Sequence, residues 1–98
     1  MYIVRDIFQL RFGAFKEAKK LLDEAYSKGI LPDAKSSRIL SDFTGDAYRL
    51  IFEEGYDSLA DFEKSLTESI SKGEWQKWYQ KFKEHIQSSH REILKQII

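Results

Sequence analysis

The chain has 98 residues, of which 42% are hydrophobic and 33% charged, which is typical of one globular domain. Sixteen basic residues balance sixteen acidic ones, which excludes a general positive field that would attract nucleic acid. Cysteine is absent, which excludes disulfides and thiolate metal sites. No apolar run approaches the roughly 20 residues that span a bilayer, and the first residues lack a signal peptide's apolar core. We therefore expect one cytoplasmic domain, residues 1–98, with neither nucleic acid nor membrane as a partner.

The chain opens with the alternating pattern of a strand. Between Tyr2 and Phe12 one parity is mostly apolar and is interrupted by Asp6, whereas the other parity mixes aliphatic and polar residues. This alternation predicts a strand with one strongly apolar face and one mixed face. Gly13 ends the pattern.

An amphipathic helix follows the first strand. Apolar residues recur at helical spacing from Phe15 to Tyr26, and charged residues fill the other face. Gly29 lies where a left-handed cap is expected, and Pro32 prevents the helix from resuming.

Two short strands, 36–43 and 47–54, flank a hairpin turn. A two-residue Gly45-Asp46 turn is a hairpin signal. The pairs it predicts are Phe43 with Tyr48, Ile39 with Phe52, Asp42 with Arg49, and Arg38 with Glu53. The alternative Thr44-Gly45 turn would oppose leucine to arginine and arginine to isoleucine. Since cross-strand pairs contribute roughly 0.2–1 kcal/mol each, the first register is predicted.

The second half of the chain contains two helical patterns and an ambiguous end. Ser58 is a predicted N-cap with Asp61 in the first helical turn, and the helix ends at Lys72-Gly73. A further helix carries the apolar residues from Trp75 to Ile86, and Gln87-Ser88-Ser89 breaks it. The last stretch, His90 to Ile98, fits the period of a helix or a strand. It is interpreted as a strand because the first strand would otherwise lack one neighbour.

This order predicts an α+β, ferredoxin-like βαββαβ fold, a four-stranded antiparallel sheet with helices on one face. The helices are assigned the face with Val4, Phe8, Leu10, Ile39, Phe43, Tyr48, Leu50 and Phe52. The opposite face, called the open face below, carries Ile3, Arg5, Ile7, Gln9, Arg38, Leu40, Asp42, Arg49, Ile51 and Glu53. It holds too many aliphatics to be freely solvated and too many charges to be a dry core. Because such a patch marks an interaction site, we expect a twofold homodimer through the open face.

Three stretches that cover most of the chain resemble the dimeric α/β-barrel superfamily, and within it NIPSNAP-type domains. They are FQLRFGAFKEAKKLLDE, YRLIFEEGYDSLADFEKSL, and GEWQKWYQKF followed by HREILKQI. The resemblance implies a ferredoxin-like homodimer, a final strand, and a cavity between the sheet and its helices or partner. The superfamily includes cofactor-free monooxygenases, haem-degrading enzymes and isomerases, so it selects no chemistry.

Candidate site residues fall into three groups. Arg5, Arg38, Arg49 and Glu53 would bind a polar or anionic ligand if they face a cavity, and otherwise form ion pairs in the dimer interface. Trp75 and Trp78 would line a pocket for a flat apolar ligand, and otherwise belong to the core. His90 and Tyr48 are the catalytic candidates. The spacing of the two histidines, His85 and His90, predicts no metal site, and no cofactor is expected.

Three functions remain open, and the second of them is implied by the resemblance. The chain is a homodimer that binds a small molecule beside its sheet, a cofactor-free monooxygenase or isomerase, or a non-catalytic structural or partner-binding dimer. The first two predict a cavity of roughly 300 Å³ or more, and the third predicts a filled interior. A base in that cavity with a strongly shifted pKa would favour the enzyme.

Overall fold

A computed structural model describes residues 1–45 and 48–98, and of Ile70 only the backbone. Its four strands form one antiparallel sheet in the order β2-β3-β1-β4. The elements are β1 Tyr2–Leu10, α1 Phe15–Lys28, β2 Ser36–Ser41, β3 Arg49–Tyr56, α2 Leu59–Ile70, α3 Gly73–Phe82 and β4 Ile86–Lys95. This is the ferredoxin-like arrangement, so the predicted fold class is confirmed.

The predicted register of the hairpin is confirmed where β2 and β3 pair. Ile39 lies opposite Phe52, and Arg38 lies opposite Glu53. The ladder ends where Ser41 meets Leu50, so the prediction that β2 continues to residue 43 is wrong. The proposed turn at Gly45-Asp46 includes a position outside the described residues.

Two aromatic residues beside this turn differ from each other. Phe43 is 100% exposed, so its assignment to the helix-covered face is wrong, because the strand has already ended. Tyr48 packs against the core as predicted. Its backbone is left-handed, with φ of 63°, and its carbonyl accepts a hydrogen bond of 2.7 Å from the Leu10 N–H.

The final strand is confirmed, but it begins earlier than predicted. Ile86 is not the end of a helix: it opposes Leu10 of β1, and Ser88 opposes Gln9. The polar run 87–89, predicted as a break, therefore lies within β4. Pairing with β1 provides backbone hydrogen bonds along the inner edge of this run, so the strand forms despite weak local propensity.

Three predicted helix boundaries agree with the structure, whereas α3 ends at Phe82 and not at Ile86. Gly29 caps α1 in the left-handed conformation, with φ of 65°, as glycine readily does. The Ser58 hydroxyl accepts a hydrogen bond from the Asp61 N–H at 3.1 Å, which satisfies one free donor of α2. The break at 72–73 is confirmed, since α2 ends at Ile70 and α3 begins at Gly73. No helix in the described ranges is long and apolar enough to cross a membrane.

The helices pack on one face of the sheet and define its core. Leu10 and Leu50 of the sheet, Leu22 of α1, and Trp78 and Phe82 of α3 form one buried cluster. Strand alternation places the other parity on the open face, where β4 adds His90, Glu92 and Leu94. In the described part of the chain this face has no helix over it, as the alternation predicted.

Candidate functional site

A cavity of about 390 Å³ lies between the helix-covered face of the sheet and helices α2 and α3. We call it the cleft. Its sheet side consists of Asp6, Phe8, Phe52, Glu54, Tyr56, Ser89, His90 and Arg91, and its other walls consist of Leu31, Pro32, Phe62, Leu66, Trp75, Trp78, Tyr79 and Phe82. The cleft is therefore mostly aromatic, with a small number of polar groups on the sheet.

Stacked aromatic rings of α3 form one wall of the cleft. The rings of Trp75 and Tyr79 stack with centroids 4.8 Å apart, and those of Trp78 and Phe82 do the same at 4.8 Å. The Trp78 Nε1–H donates a 2.6 Å hydrogen bond to the carbonyl of Leu21. This bond fixes the indole of Trp78, and the aromatic faces of this wall suit a planar apolar ligand.

A carboxyl and a phenol form the main polar feature of the cleft. The Tyr56 hydroxyl donates a 2.6 Å hydrogen bond to Glu54 Oε2. Partial burial raises the pKa of Glu54 above its ordinary value, and the Tyr56 hydrogen bond only partly opposes this. Burial is the main cause that raises the pKa of Tyr56 far above its ordinary value, and the hydrogen bond to Glu54 is the second. The phenol therefore stays neutral, and the carboxyl takes up a proton more readily than an exposed one.

Helix α2 holds this pair in place. The Tyr56 hydroxyl lies 3.5 Å from Ser65 Oγ, and Ser65 donates a 2.9 Å hydrogen bond to the carbonyl of Asp33. The Phe62 ring packs against Tyr56 with centroids 5.4 Å apart. The polar group thus has a fixed position relative to the aromatic wall.

An ion pair forms a second polar feature of the cleft. Arg91 Nε of β4 lies 2.5 Å from Asp6 Oδ1 of β1, and the Arg91 guanidinium lies 5.2 Å from the centre of the Phe62 ring. Each charge compensates the other. Glu54 is therefore the one carboxyl among the described cleft residues that lacks its own cation.

A smaller cavity of about 220 Å³ adjoins the cleft. The two share Leu31, Pro32, Phe52 and Glu54, so the loop after α1 divides them above the sheet. Glu54 therefore faces both spaces.

Three of the predicted ligand-binding residues meet on the open face, on the opposite side of the sheet from the cleft. Arg5 Nη2 lies 3.1 Å from Glu53 Oε2, and Arg38 Nη2 lies 2.6 Å from Glu53 Oε1. Glu53 is only 8% exposed. The hydrogen bonds from Arg38 lower the pKa of Glu53 most, and those from Arg5 lower it further. Burial opposes them, but the pKa of Glu53 stays below its ordinary value.

The fourth predicted ligand-binding residue, Arg49, forms a separate pair on the open face. Its Nη2 lies 2.7 Å from Asp42 Oδ1, and its backbone N–H donates to Asp42 Oδ2 at 3.0 Å. The side-chain hydrogen bond from Arg49 lowers the pKa of Asp42. Trp75 and Trp78, by contrast, line the cleft.

The catalytic candidates lie apart from each other. His90 opposes Ile7 on the open face, so it borders the cleft through its backbone. Tyr48 packs its ring 5.1 Å from that of Phe12, outside the cleft wall. Among the described residues no group of three His, Asp or Glu side chains could hold a metal ion.

Sequence reasoning missed the polar residues of the cleft. In the sequence, Asp6 appears only as an interruption among the apolar alternate residues of β1. Glu54 and Tyr56 continue the helix-covered face of β3. A signal was available, because two carboxyls on an apolar strand face need partners. Arg91, the partner of Asp6, lies 85 residues away from it in the chain, so local sequence patterns do not reveal the pair.

The fold is that of the dimeric α/β-barrel superfamily, to judge from solved structures. A NIPSNAP family protein from Agrobacterium tumefaciens is 25% identical, with a TM-score of 0.83 over 95% of this chain and 82% of that one. An uncharacterised NIPSNAP domain protein from Burkholderia xenovorans is 13% identical, with a TM-score of 0.84 over 98% and 94%. A putative antibiotic biosynthesis monooxygenase from Nitrosomonas europaea is 13% identical, with a TM-score of 0.73 over the whole of both chains.

The family follows from the sequence itself. The NIPSNAP family model matches residues 18–97, which include every element from within α1 to β4. The chain belongs to the NIPSNAP family, as the resemblance predicted. No curated protein matches it.

Proposed function

We propose that this protein is a homodimer that binds a small, flat, largely apolar molecule in the cleft. The observation that carries this proposal is the cleft of about 390 Å³ between the sheet and helices α2 and α3. Its volume lies in the range of small-molecule sites, roughly 300–1,000 Å³. A purely structural role would favour a filled interior at this place.

The chemistry of the walls supports the same ligand class. Aromatic faces bind planar apolar molecules by dispersion and by removing apolar area from water. Glu54 and Tyr56 add one fixed polar point at the edge of an apolar surface. Small-molecule sites commonly combine these two features.

The two tryptophans provide a direct test of ligand binding. Trp75 and Trp78 are the only tryptophans of the chain, and both line the cleft. Titration with 2-methoxynaphthalene, a flat neutral probe, should shift the indole N–H signals of both in a ¹H–¹⁵N NMR spectrum. Calorimetry should give the dissociation constant.

A cleft-filling variant locates the bound probe. Leu66 of α2 lines the cleft, whereas Leu59 of the same helix is exposed. Leu66→Trp should weaken probe binding by about tenfold or more, corresponding to ~1.4 kcal/mol, and Leu59→Trp should leave it unchanged. If the indole signals do not move in the wild type, or if both variants bind equally well, the proposed site is wrong.

The open face supports the homodimer. Leu40 and Leu94 are 39% and 41% exposed there, an apolar surface that a second copy would remove from water. The carboxyls of Glu53 and Asp42 already have arginine partners within the chain. A second copy can therefore bury this face without leaving an unpaired carboxylate, which would cost several kcal/mol.

The dimer is tested by mass in solution. Wild-type protein should show twice the monomer mass by light scattering after gel filtration. Leu40→Glu places a charge in the proposed interface and should give the monomer, while Leu59→Glu on α2 should remain dimeric. A monomeric wild type at all protein concentrations would refute the homodimer.

The second candidate function, a cofactor-free monooxygenase or isomerase, is favoured by one observation. Burial raises the pKa of Glu54, and a carboxyl that binds a proton more readily in this way is suited to act as a general acid or base. If the protein is a monooxygenase, it should increase oxygen uptake by 1,4-dihydroxynaphthalene over the protein-free rate, and Glu54→Gln should abolish the increase.

The cytoplasmic location stays a prediction.

A further inference from the structure

Glu54 presents one of its two oxygens to a ligand. Tyr56 donates to Oε2, and within residues 1–45 and 48–98 no protein hydrogen bond reaches Oε1. No side-chain oxygen of the described residues is both fully buried and unpartnered, so Oε1 is accessible. Because Glu54 lines the cleft, an acceptor is available at the edge of the aromatic wall.

The surrounding charges select the kind of group that this oxygen receives. An anionic group would meet the carboxyls of Asp6 and Glu54 in the same wall. A cationic group could pair with the carboxyl of Glu54, but it would lose its hydration in an apolar space at a cost of several kcal/mol. A neutral donor avoids both penalties.

We propose that the ligand is a planar aromatic molecule that carries a neutral hydroxyl, a phenol by chemical class, and that this hydroxyl donates a hydrogen bond to Glu54 Oε1. The inference rests on the proposed function, because it states the chemistry of the molecule that the cleft binds. The aromatic body lies against Trp75 and Trp78. Tyr56 holds the carboxyl in the orientation that receives the hydroxyl.

Proton binding at Glu54 then competes with the ligand. A phenol donates most strongly to the ionised carboxylate, so binding favours the form without the proton. The charged groups that face Glu54 are Asp6 from β1 and Arg91 from β4. Asp33 lines the smaller cavity with it, whereas the side chain of Arg38 lies on the open face. Because burial raises the pKa of Glu54, affinity for a phenol should rise as the pH increases above the ordinary value of 4.5, and should level off above the pKa of Glu54 in the folded chain.

A matched pair of probes tests the hydroxyl separately from the aromatic body. The probes 2-naphthol and 2-methoxynaphthalene share the ring system and the oxygen, but in the second a methyl group replaces the hydroxyl proton. The wild type should bind 2-naphthol about tenfold or more tightly, since a hydrogen bond to a charged group contributes about 1.5–3 kcal/mol. Calorimetry from pH 4 to pH 8, roughly the window in which a raised carboxyl pKa falls, measures both affinities.

Two substitutions of Glu54 assign the preference to its carboxyl. Glu54→Met removes the acceptor and should reduce the ratio of the two affinities to about one. Glu54→Gln keeps an oxygen but no charge, so the preference should shrink and lose its dependence on pH. Glu63→Met, on the exposed side of α2, is the control and should keep the wild-type ratio. The NMR spectra of all variants report whether each one is folded.

The outcomes separate this inference from the proposal on which it rests. If both probes shift the two indole signals but bind the wild type equally, the cleft is a ligand site and the phenol assignment is wrong. If the preference survives in both folded Glu54 variants, the assignment to this carboxyl is wrong. If neither probe shifts the indole signals, both proposals fail.

Discussion

Glu53 and Glu54 are neighbours in the sequence but belong to opposite faces of the sheet, and their carboxyls behave in opposite ways. Glu53 lies between Arg38 and Arg5 on the open face, where these partners lower its pKa. Glu54 faces the cleft, where burial raises its pKa. The comparison shows that the environment of a strand face, rather than the side chain, decides whether a carboxyl acts as an ion-pair member or as a proton-binding group.

The largest expected difference between the faces is in packing. Phe82 is fully buried beneath the helix-covered face, with its ring 5.4 Å from that of Phe8. Phe82→Ala should lower the free energy of unfolding by about 3–5 kcal/mol, because a large cavity replaces the ring. The same substitution at exposed Phe43 should change it by less than about 0.5 kcal/mol. Urea denaturation measures both, and equal losses would contradict the assigned core.

The second largest effect should be a difference in stability between the Glu53→Gln and Glu54→Gln variants. Glu53→Gln leaves Arg38 without a carboxylate and Arg5 with Glu92 at 3.6 Å. It should destabilise the fold by about 1–2 kcal/mol, reduced because Arg38 is largely exposed to solvent. Glu54→Gln removes a group whose charged form is disfavoured by burial. At neutral pH this substitution should therefore leave the stability of the fold unchanged or raise it slightly. Chemical denaturation of both variants at one fixed protein concentration gives the comparison. Equal destabilisation by the two would contradict it.

The smallest effect is the pH dependence of these same variants. The folded-state pKa of Glu53 is lowered, so its stabilisation is present above the ordinary value of 4.5 and is lost as the pH falls through the lowered pKa. The folded-state pKa of Glu54 is raised, so the wild type should lose stability relative to Glu54→Gln as the pH rises from 4.5 to the raised pKa. Unfolding curves from about pH 2 to pH 8, a range of roughly two units or more on each side of the ordinary carboxyl pKa, measure both differences. Parallel curves for the two variants would contradict the opposite shifts.

Local patterns in the sequence predicted the sheet better than the site. Alternation along β1 and the pairing of Arg38 with Glu53 required only strand geometry, and the caps at Gly29 and Ser58 required only helix chemistry. These features depend on residues close together in the chain. They were accordingly correct in type and in register.

The cleft depended on contacts that local patterns do not contain. The sequence shows Asp6 as a break in an apolar parity, but its partner Arg91 comes from the far end of the chain. The start of β4 at Ile86 was missed for the same reason, since β1 supplies its hydrogen bonds. The Trp75–Trp78 stripe was ambiguous between core and pocket wall, and in the structure it is both.

The alternation of Glu53 and Glu54 also bears on how β3 reaches its correct alignment. A slip of one residue would move every side chain of the strand to the other face. Glu54 would then take the place between the two arginines, but Glu53 would enter the aromatic cleft without the Tyr56 hydroxyl in its present position. Such a misaligned sheet would also turn Leu50 and Phe52 outwards to water. A shifted strand is thus disfavoured both by the displaced carboxyl of Glu53 in the aromatic cleft and by the lost burial of apolar side chains.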